Sequence, residues 1–353
     1  MRTRDDDCKS NPMSKPIRRR NALKLAAAAL AAGVGGRRRG FAQGRDADPV
    51  TIVNTAGTFG ATVQQLMKDK RYLEDFSLRP NFLSVGDGSK IIGALLGGEA
   101  DICIASGFGQ VLPAIERGGR LKVLAGSEML LLHLVYSWRP EIKSLKDLEG
   151  RAVGTGSPGA LLHSIMVALL RKHNVDPTKV TFVNIGSSAD VFRAIVARVV
   201  DAGPCELDYA EDQAKYNVHG LADGTLWDGL PEFTNQASYG SERAIRARRD
   251  VIVRTLAAYA RLYRFIASPQ SRDAYLAARA AALGKNEAAA GLAQWDFFQK
   301  HQSFAVDLVL SEERVRYMQE LNLSLGIQKT LLPYAQVTDM SLARDALKLI
   351  ENL

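Results

Sequence analysis

Apolar positions along the chain switch repeatedly between strand-like runs and helical spacing, which predicts alternating strands and helices. Residues 49–54 form a β-rich run ending in Thr55-Ala56-Gly57, and from Gly60 to Lys70 the apolar residues Val63, Leu66 and Met67 recur at helical intervals. A second strand at 78–85 runs into Gly86-Asp87-Gly88-Ser89, followed by a helix carrying Ile91, Ile92, Leu95 and Leu96 and closed by Gly97-Gly98. A third strand at 101–105 precedes Ser106-Gly107, a helix at 111–117 stops at Gly118-Gly119, and 121–125 and 131–136 are further apolar strands. Three of these strands end in Gly/Ser/Asp clusters. In open α/β sheets ligands gather at such carboxyl ends, where helix N-termini converge.

The same grammar returns in a second block. Residues 140–150 read as a turn and a short helix, and 151–154 as a strand. Thr155-Gly156-Ser157-Pro158-Gly159-Ala160 then enters a helix with Leu161, Leu162, Ile165, Met166, Leu169 and Leu170 on its apolar face. After the turn Asn174-Val175-Asp176-Pro177 come a strand at 180–185, a helix at 188–200 and a last short strand beginning at Leu207. Residues 217–240, with four glycines and little periodicity, read as a return path to the first block. The remainder is helical: 244–267 with Val251, Ile252, Leu256, Tyr259, Leu262, Tyr263 and Ile266 on one broad face, an Ala-rich stretch at 274–293 broken near Gly284, a polar-aromatic segment at 295–304, and helices at 312–321 and 342–350. No internal repeat or sustained heptad is present.

Charge changes the picture only at the N-terminus. The 353 residues carry a formal charge of +8, but residues 1–43 hold eleven basic and three acidic residues, which is the whole excess. From Gly44 onward 35 basic residues balance 35 acidic ones, so the body has no polyanion-steering field and a nucleic-acid partner is excluded. Arg18-Arg19-Arg20-Asn21-Ala22-Leu23-Lys24 followed by LAAAALAAGVGG has the parts of an export signal. Its apolar stretch, residues 22–34, is shorter than the about 20 residues a membrane span needs. The paired arginines resemble the twin-arginine class of signal, and Arg37-Arg38-Arg39 favours the same route; a basic tail is the plainer alternative. Met13 offers a second start, and cleavage is expected after Gln43. No lipid-accepting Cys follows, so the expectation is a free, soluble protein of the periplasm. The body that remains is long enough for two domains.

Covalent chemistry finds little support. Cys8, Cys103 and Cys205 are isolated, without C-x-x-C spacing, and are expected to be unpaired. There is no Gly-x-Ser-x-Gly, no His-Glu-x-x-His and no Walker lysine. Gly154-x-Gly156-x-x-Gly159 matches a dinucleotide fingerprint in context, but the acidic residue required some twenty positions on falls at Asp176, in a turn. No catalytic residue, metal site or cofactor is expected.

Three segments together resemble the NMT1/THI5-like periplasmic binding proteins, the nitrate/sulfonate/taurine group of ABC-transporter substrate-binding proteins. The first runs from Gly88-Ser89-Lys90 to Leu95-Leu96-Gly97-Gly98-Glu99-Ala100-Asp101-Ile102. The second, Ser144-Leu145-Lys146-Asp147-Leu148-Glu149-Gly150-Arg151-Ala152-Val153-Gly154, is the most specific. The third joins Val175-Asp176-Pro177 to a helix ending Arg198-Val199-Val200-Asp201-Ala202, where Arg198 stands at a common glycine position. The resemblance implies an α/β, type II periplasmic-binding-protein fold: two α/β lobes joined by a two-strand hinge with a ligand cleft between them. Residues 48–137 plus 236–353 are expected to form lobe I with a helical tail, and 138–235 lobe II. The implied function is an exported receptor, monomeric, that delivers a small organic ligand (sulfonate, carboxylate or heteroaromatic) to an inner-membrane ABC permease with its ATPase. The fold also resembles the pyrimidine synthases of thiamine biosynthesis, so an enzyme of pyrimidine or aromatic metabolism stays as an alternative, as does the receptor of a non-ABC transporter or sensor.

Candidate ligand contacts follow from residue chemistry and resemblance together. Ser157-Pro158-Gly159-Ala160 at a helix start reads either as a grip on an anion, worth roughly 0.3–1 kcal/mol per site, or as a plain cap by Ser157 with Pro158 in the first turn. Ser89, Ser106 and Gly107 match cleft-lining positions, and Thr55, Gly57 and Phe59 follow the first strand on the same wall, Phe59 as an aromatic face; the alternative for these is turn and cap chemistry. His163, four residues past Gly159, reads as a neutral hydrogen-bonding partner, a charged anion holder or a packing residue. Glu206 and Asp208 flank Leu207 and share one side of an extended segment, poised for an amine or ring nitrogen or else capping a loop. Tyr209 offers stacking or a hydroxyl.

Overall fold

The structure, a computed structural model, describes residues 47–86, 88–284 and 291–351; the expected export segment lies outside them. Among the described residues ten strands build two five-stranded sheets. The first contains β1 (Asp48–Thr55), β2 (Leu78–Val85), β3 (Ile102–Ser106), β4 (Leu121–Gly126) and, far later in the chain, β10 (Ala237–Ser241), in the order β2-β1-β3-β10-β4. The second contains β5 (His133–Ser137), β6 (Ala152–Thr155), β7 (Thr181–Asn184), β8 (Ala202–Glu206) and β9 (His219–Thr225), in the order β7-β6-β8-β5-β9. β1, β2 and β3 run parallel, as do β6, β7 and β8. The strand that follows each crossing enters the middle of its sheet antiparallel: β5 between β8 and β9, β10 between β3 and β4.

The sequence explains these placements. β3 is buried at every position, as expected for an interior strand covered on both faces. β2 carries Pro80 and is an edge strand, where the missing N–H costs no ladder bond on the open side. The helix Glu242–Ile266 is capped by Ser241, whose hydroxyl accepts the Ala244 N–H at 3.2 Å, and it buries all seven residues of its expected apolar face. Each such side chain contributes about 1.5–3 kcal/mol of burial. Within 144–154, the Ser144 N–H and hydroxyl both donate to Asp147 Oδ2, at 2.9 and 3.0 Å, and the Ala152 N–H donates to Asp201 Oδ2 at 3.0 Å. Arg198 adopts φ +61°, the left-handed conformation that a glycine takes more readily.

Three expectations shift. β5 pairs within the second sheet, so the first crossing lies between Gly126 and His133, ahead of the expected boundary after residue 137. Residues 217–240 are more than a return path, because they contain β9 of one sheet and β10 of the other. Leu207 begins a 3-10 turn, Leu207–Asp212, and the strand before it ends at Glu206. Both crossings leave and enter at the same edges. The carboxyl ends Thr55, Ser106 and Gly126 therefore lie on one side of the junction, and Thr155, Glu206 and the start of β5 on the other.

Candidate functional site

On the first-lobe wall the structure brings Thr55 and Ser106 together. The Thr55 N–H donates to Ser106 Oγ at 2.9 Å, and the two hydroxyls lie 3.3 Å apart. Ser106 is buried, so this pairing satisfies a hydroxyl that would otherwise be costly. Gly57 precedes the helix Thr58–Lys70 and faces open space: a Cβ there would meet nothing within 4 Å. Gly107 offers its carbonyl to the Tyr239 hydroxyl at 3.4 Å. Ser89 is exposed in the first turn of the helix Gly88–Gly97. Phe59 corrects the expected aromatic wall. It is buried, with ring centroids 5.8 Å from Phe298 and 6.2 Å from Phe304, because the helical tail folds over the first turn of its helix.

The turn at 157–160 also departs from expectation. The helix begins at Leu161 with Ala160 at its N-cap, so Ser157 does not cap it and Pro158 is not its first residue. Instead the Ala160 N–H donates to the Ser157 carbonyl at 2.9 Å, closing a β-turn with Gly159 at φ +80°. That is a type II turn by composition, with proline and then glycine at its centre. The Gly159 N–H donates to His163 Nδ1 at 3.2 Å, and the His163 ring packs edge-on to Phe182 at 5.0 Å. Partial burial lowers the His163 pKa, so the neutral ring accepts and the charged anion holder is set aside. A Cβ on Gly159 would lie 3.0 Å from Ile327, which reaches across from the tail.

Glu206 and Asp208 stand in the most unusual surroundings. Asp208 Oδ2 pairs with Arg279 Nη2 at 2.8 Å, both side chains almost fully buried. Arg279 belongs to the helix Arg272–Leu283, which packs along Thr58–Lys70 of the first lobe. Arg279 Nη1 donates to Gln294 Oε1 at 3.1 Å, and the Tyr275 hydroxyl donates to the same oxygen. Gly291, at φ +94°, makes room: a Cβ there would lie 2.1 Å from Arg279 Cδ. From the first crossing comes Glu128, 1% exposed, whose Oε2 accepts from Asn235 Nδ2 at 2.7 Å on the second crossing. Burial pushes the Glu128 carboxyl up to about 8, with Glu206 and Asp208 adding to the shift and the Asn235 bond opposing it. Burial likewise raises Glu206 and Asp208 above the usual carboxylate range, against the pull of Arg279. His133, the cross-strand partner of Glu206, is held neutral by burial, its pKa lowered to about 4. Tyr209 stacks on Phe192 at 4.0 Å, so its ring face is spent within the protein.

Glu128, Arg279, Asn235 and Gln294 were missed from sequence. Glu128 had a signal, a lone acid between two apolar strands; Arg279 inside an Ala-rich helix had none. Cys103 and Cys205 are unpaired and buried, and burial pushes the Cys103 thiol up to about 12, far from a nucleophile's range. Among the described residues no group of three His, Cys, Asp or Glu is arranged to hold a metal ion, and no helix is long and apolar enough to cross a membrane.

Two α/β lobes with mixed sheets, two crossings and opposed carboxyl edges define the type II periplasmic-binding-protein class. The family model described as NMT1/THI5 like matches residues 66–271, and the chain belongs to that family. The fold is similar to that of the periplasmic aliphatic sulphonate binding protein SsuA from Escherichia coli, at 16% identity and TM-score 0.68, covering 83% of this chain and 92% of that one. It is similar to the periplasmic nitrate-binding protein NrtA from Synechocystis PCC 6803, at 11% identity and TM-score 0.67, covering 87% and 90%. It is also similar to the desulfurization enzyme DSZB, at 16% identity and TM-score 0.58, covering 86% and 99%. No curated protein matches the sequence.

Proposed function

We propose that the protein is an exported, periplasmic, monomeric receptor that captures a small organic ligand between its lobes and presents it to an inner-membrane ABC permease with its ATPase. The reading is carried by the opposed sheet edges joined through only two crossings, in a chain of the NMT1/THI5-like family. Two crossings make a hinge: ligand contacts to both lobes stabilise the closed form, and a partner reads closure. On this reading the moving bodies are residues 47–126 with 237–351, and residues 133–225. Contacts between them include the Asp208–Arg279 ion pair at 2.8 Å, the Ala293 N–H on Glu211 Oε1 at 3.0 Å, and Arg171 Nη1 on Ser324 Oγ at 2.9 Å. Thr55, Gly57, Ser89, Ser106 and Gly107 contribute from one wall, and Ser157, Gly159, Ala160, His163, Glu206 and Asp208 from the other.

Small-angle scattering on the exported protein tests this. Molecules that co-purify with it, identified by mass spectrometry and added back to stripped protein, are expected to shrink its radius of gyration. A profile that stays the same with and without every such molecule overturns the receptor reading.

A further inference from the structure

We infer that the ligand carries a protonated nitrogen, held by the carboxylates of Glu128, Glu206 and Asp208, and an acceptor oxygen turned toward Arg279 and Gln294. This rests on the receptor reading above and concerns only the chemistry that the receptor takes. The five side chains come from both lobes and from a crossing between them: Glu128 from the first crossing, Glu206 and Asp208 from the end of β8 and the turn after it, Arg279 and Gln294 from tail helices. One guanidinium acts on Glu206 and Asp208, and those two carboxylates act on Glu128, so the group carries excess negative charge whenever more than one of the three is ionised.

A second observation is independent of that charge. Glu128 Oε1, Asp208 Oδ1, Arg279 Nε and Gln294 Nε2 are all buried without a hydrogen-bond partner within the protein. Each belongs to a side chain at least nine-tenths buried. Native proteins rarely leave such atoms unpaired, because burial strips them of water and returns nothing. Two are acceptors and two are donors. A molecule that completes them offers an ammonium, amidinium or protonated ring nitrogen to the carboxylates and a carbonyl or carboxylate oxygen to Arg279 Nε and Gln294 Nε2. A sulfonate or nitrate without a nitrogen cation leaves the carboxylates facing an anion, at a cost that low polarity enlarges.

The surroundings of Glu128 bear on how binding depends on pH. Glu206 and Asp208 act on it from the second lobe, and Asn235 hydrogen-bonds it from the second crossing. Tyr263 and Tyr275 share its field from the tail helices, where Arg279 acts on Glu206 and Asp208. A carboxyl that stays protonated near neutral pH must release its proton to receive a cation, so affinity for the cation rises with pH through that range.

The test uses the full-length exported product, dialysed free of bound molecules, in calorimetry and thermal unfolding at neutral pH and across the range through which Glu128 titrates. One probe set carries a protonated nitrogen: benzylamine, aminomethylbenzoate, taurine and histamine. The matched set lacks it: benzoate, benzenesulfonate and ethanesulfonate. The expected result is binding within the first set, strongest for a member that also bears an oxygen acceptor, and on the order of tenfold or more weaker binding for its counterpart. Glu128→Gln, which keeps the acceptor for Asn235, is expected to weaken nitrogen-probe binding on the order of tenfold and to flatten its rise with pH. Glu206→Gln serves as a second variant should the first fail to fold. Equal or tighter binding of the second set, no binding of the first, stabilisation by calcium alone, or an unaltered pH profile in both variants overturns the inference. Binding of benzenesulfonate with contraction of the lobes would overturn it while leaving the receptor reading standing. Failure of every co-purified molecule to contract the lobes would remove the receptor reading itself.

Discussion

Thr55 and Ser106 on one side of the junction, and Glu206 with Asp208 on the other, stand at the carboxyl ends of comparable inner strands, yet their polar atoms are spent differently. Thr55 and Ser106 bond each other, with hydroxyl and N–H both engaged. The turn at Gly159 is likewise self-contained, because His163 takes the N–H that an incoming anion would have used. Around Asp208, by contrast, one ion pair leaves buried donors and acceptors unmatched on both partners. The difference teaches where binding energy can arise. A satisfied pair gains little from a ligand, whereas a buried unsatisfied group gains nearly the full value of the bond it lacked.

The largest effect expected from breaking this contrast comes from Arg279→Met. Removing the guanidinium strands Asp208 beside two other carboxylates, and unfolding in denaturant should show a loss of about 3–5 kcal/mol. A loss near zero would mean that the carboxylates are already protonated and need no counter-charge.

Stability against pH sharpens the comparison next. Glu128 has its folded pKa raised from 4.5 to about 8, so between those values the folded state holds a proton that the unfolded chain has released. Stability of the ligand-free protein must then fall as pH rises through that window, by on the order of 1 kcal/mol per pH unit. Glu206 and Asp208, also raised, push in the same direction. Thermal unfolding across the window should show the decline in wild type and a shallower one in Glu128→Gln. A stability that rises with pH would reverse the assignment.

The satisfied side should respond less. Gly159→Val forces a branched residue to φ +80° and brings its Cβ to 3.0 Å from Ile327. The expected cost is about 1–3 kcal/mol, read as a lowered midpoint of unfolding. A variant as stable as wild type would show that the turn relaxes freely. Ser106→Ala deprives the half-buried Thr55 N–H of its acceptor and should cost about 1–2 kcal/mol, with little change in ligand preference between cationic and anionic probes. A marked change in that preference would move Ser106 from scaffold to selector.

Much of this was legible before folding. The alternation of strand and helix and the apolar face of Glu242–Ile266 follow from local pattern, because each depends on residues a few positions apart; the left-handed position of Arg198 was marked by the resemblance, which has a glycine there. Thr55 and Ser106 were also foreseen as neighbours on one wall, since both end inner strands of one sheet. Phe59 was misread because the residues that bury it, Phe298 and Phe304, arrive from more than two hundred positions away. The cap reading of Ser157 fails for a subtler reason: proline and glycine at the centre of a turn compete with capping, and only the backbone shows which wins.

By itself the sequence determined the alternation of strand and helix and the presence of two blocks, because periodicity and turn chemistry act over short stretches, and its resemblance to a family implied the class of fold. It also placed Glu206 and Asp208 together, two positions apart. Only the tertiary structure decided their meaning. It set Arg279, Gln294 and Glu128, drawn from a tail helix, a second helix and a crossing, around the same carboxylates, and it took water away from Glu128, Gln294 and the Asp208–Arg279 pair. Charge in a sequence is a count. Its energy depends on burial and on partners brought from afar, and those come into being only when the lobes meet.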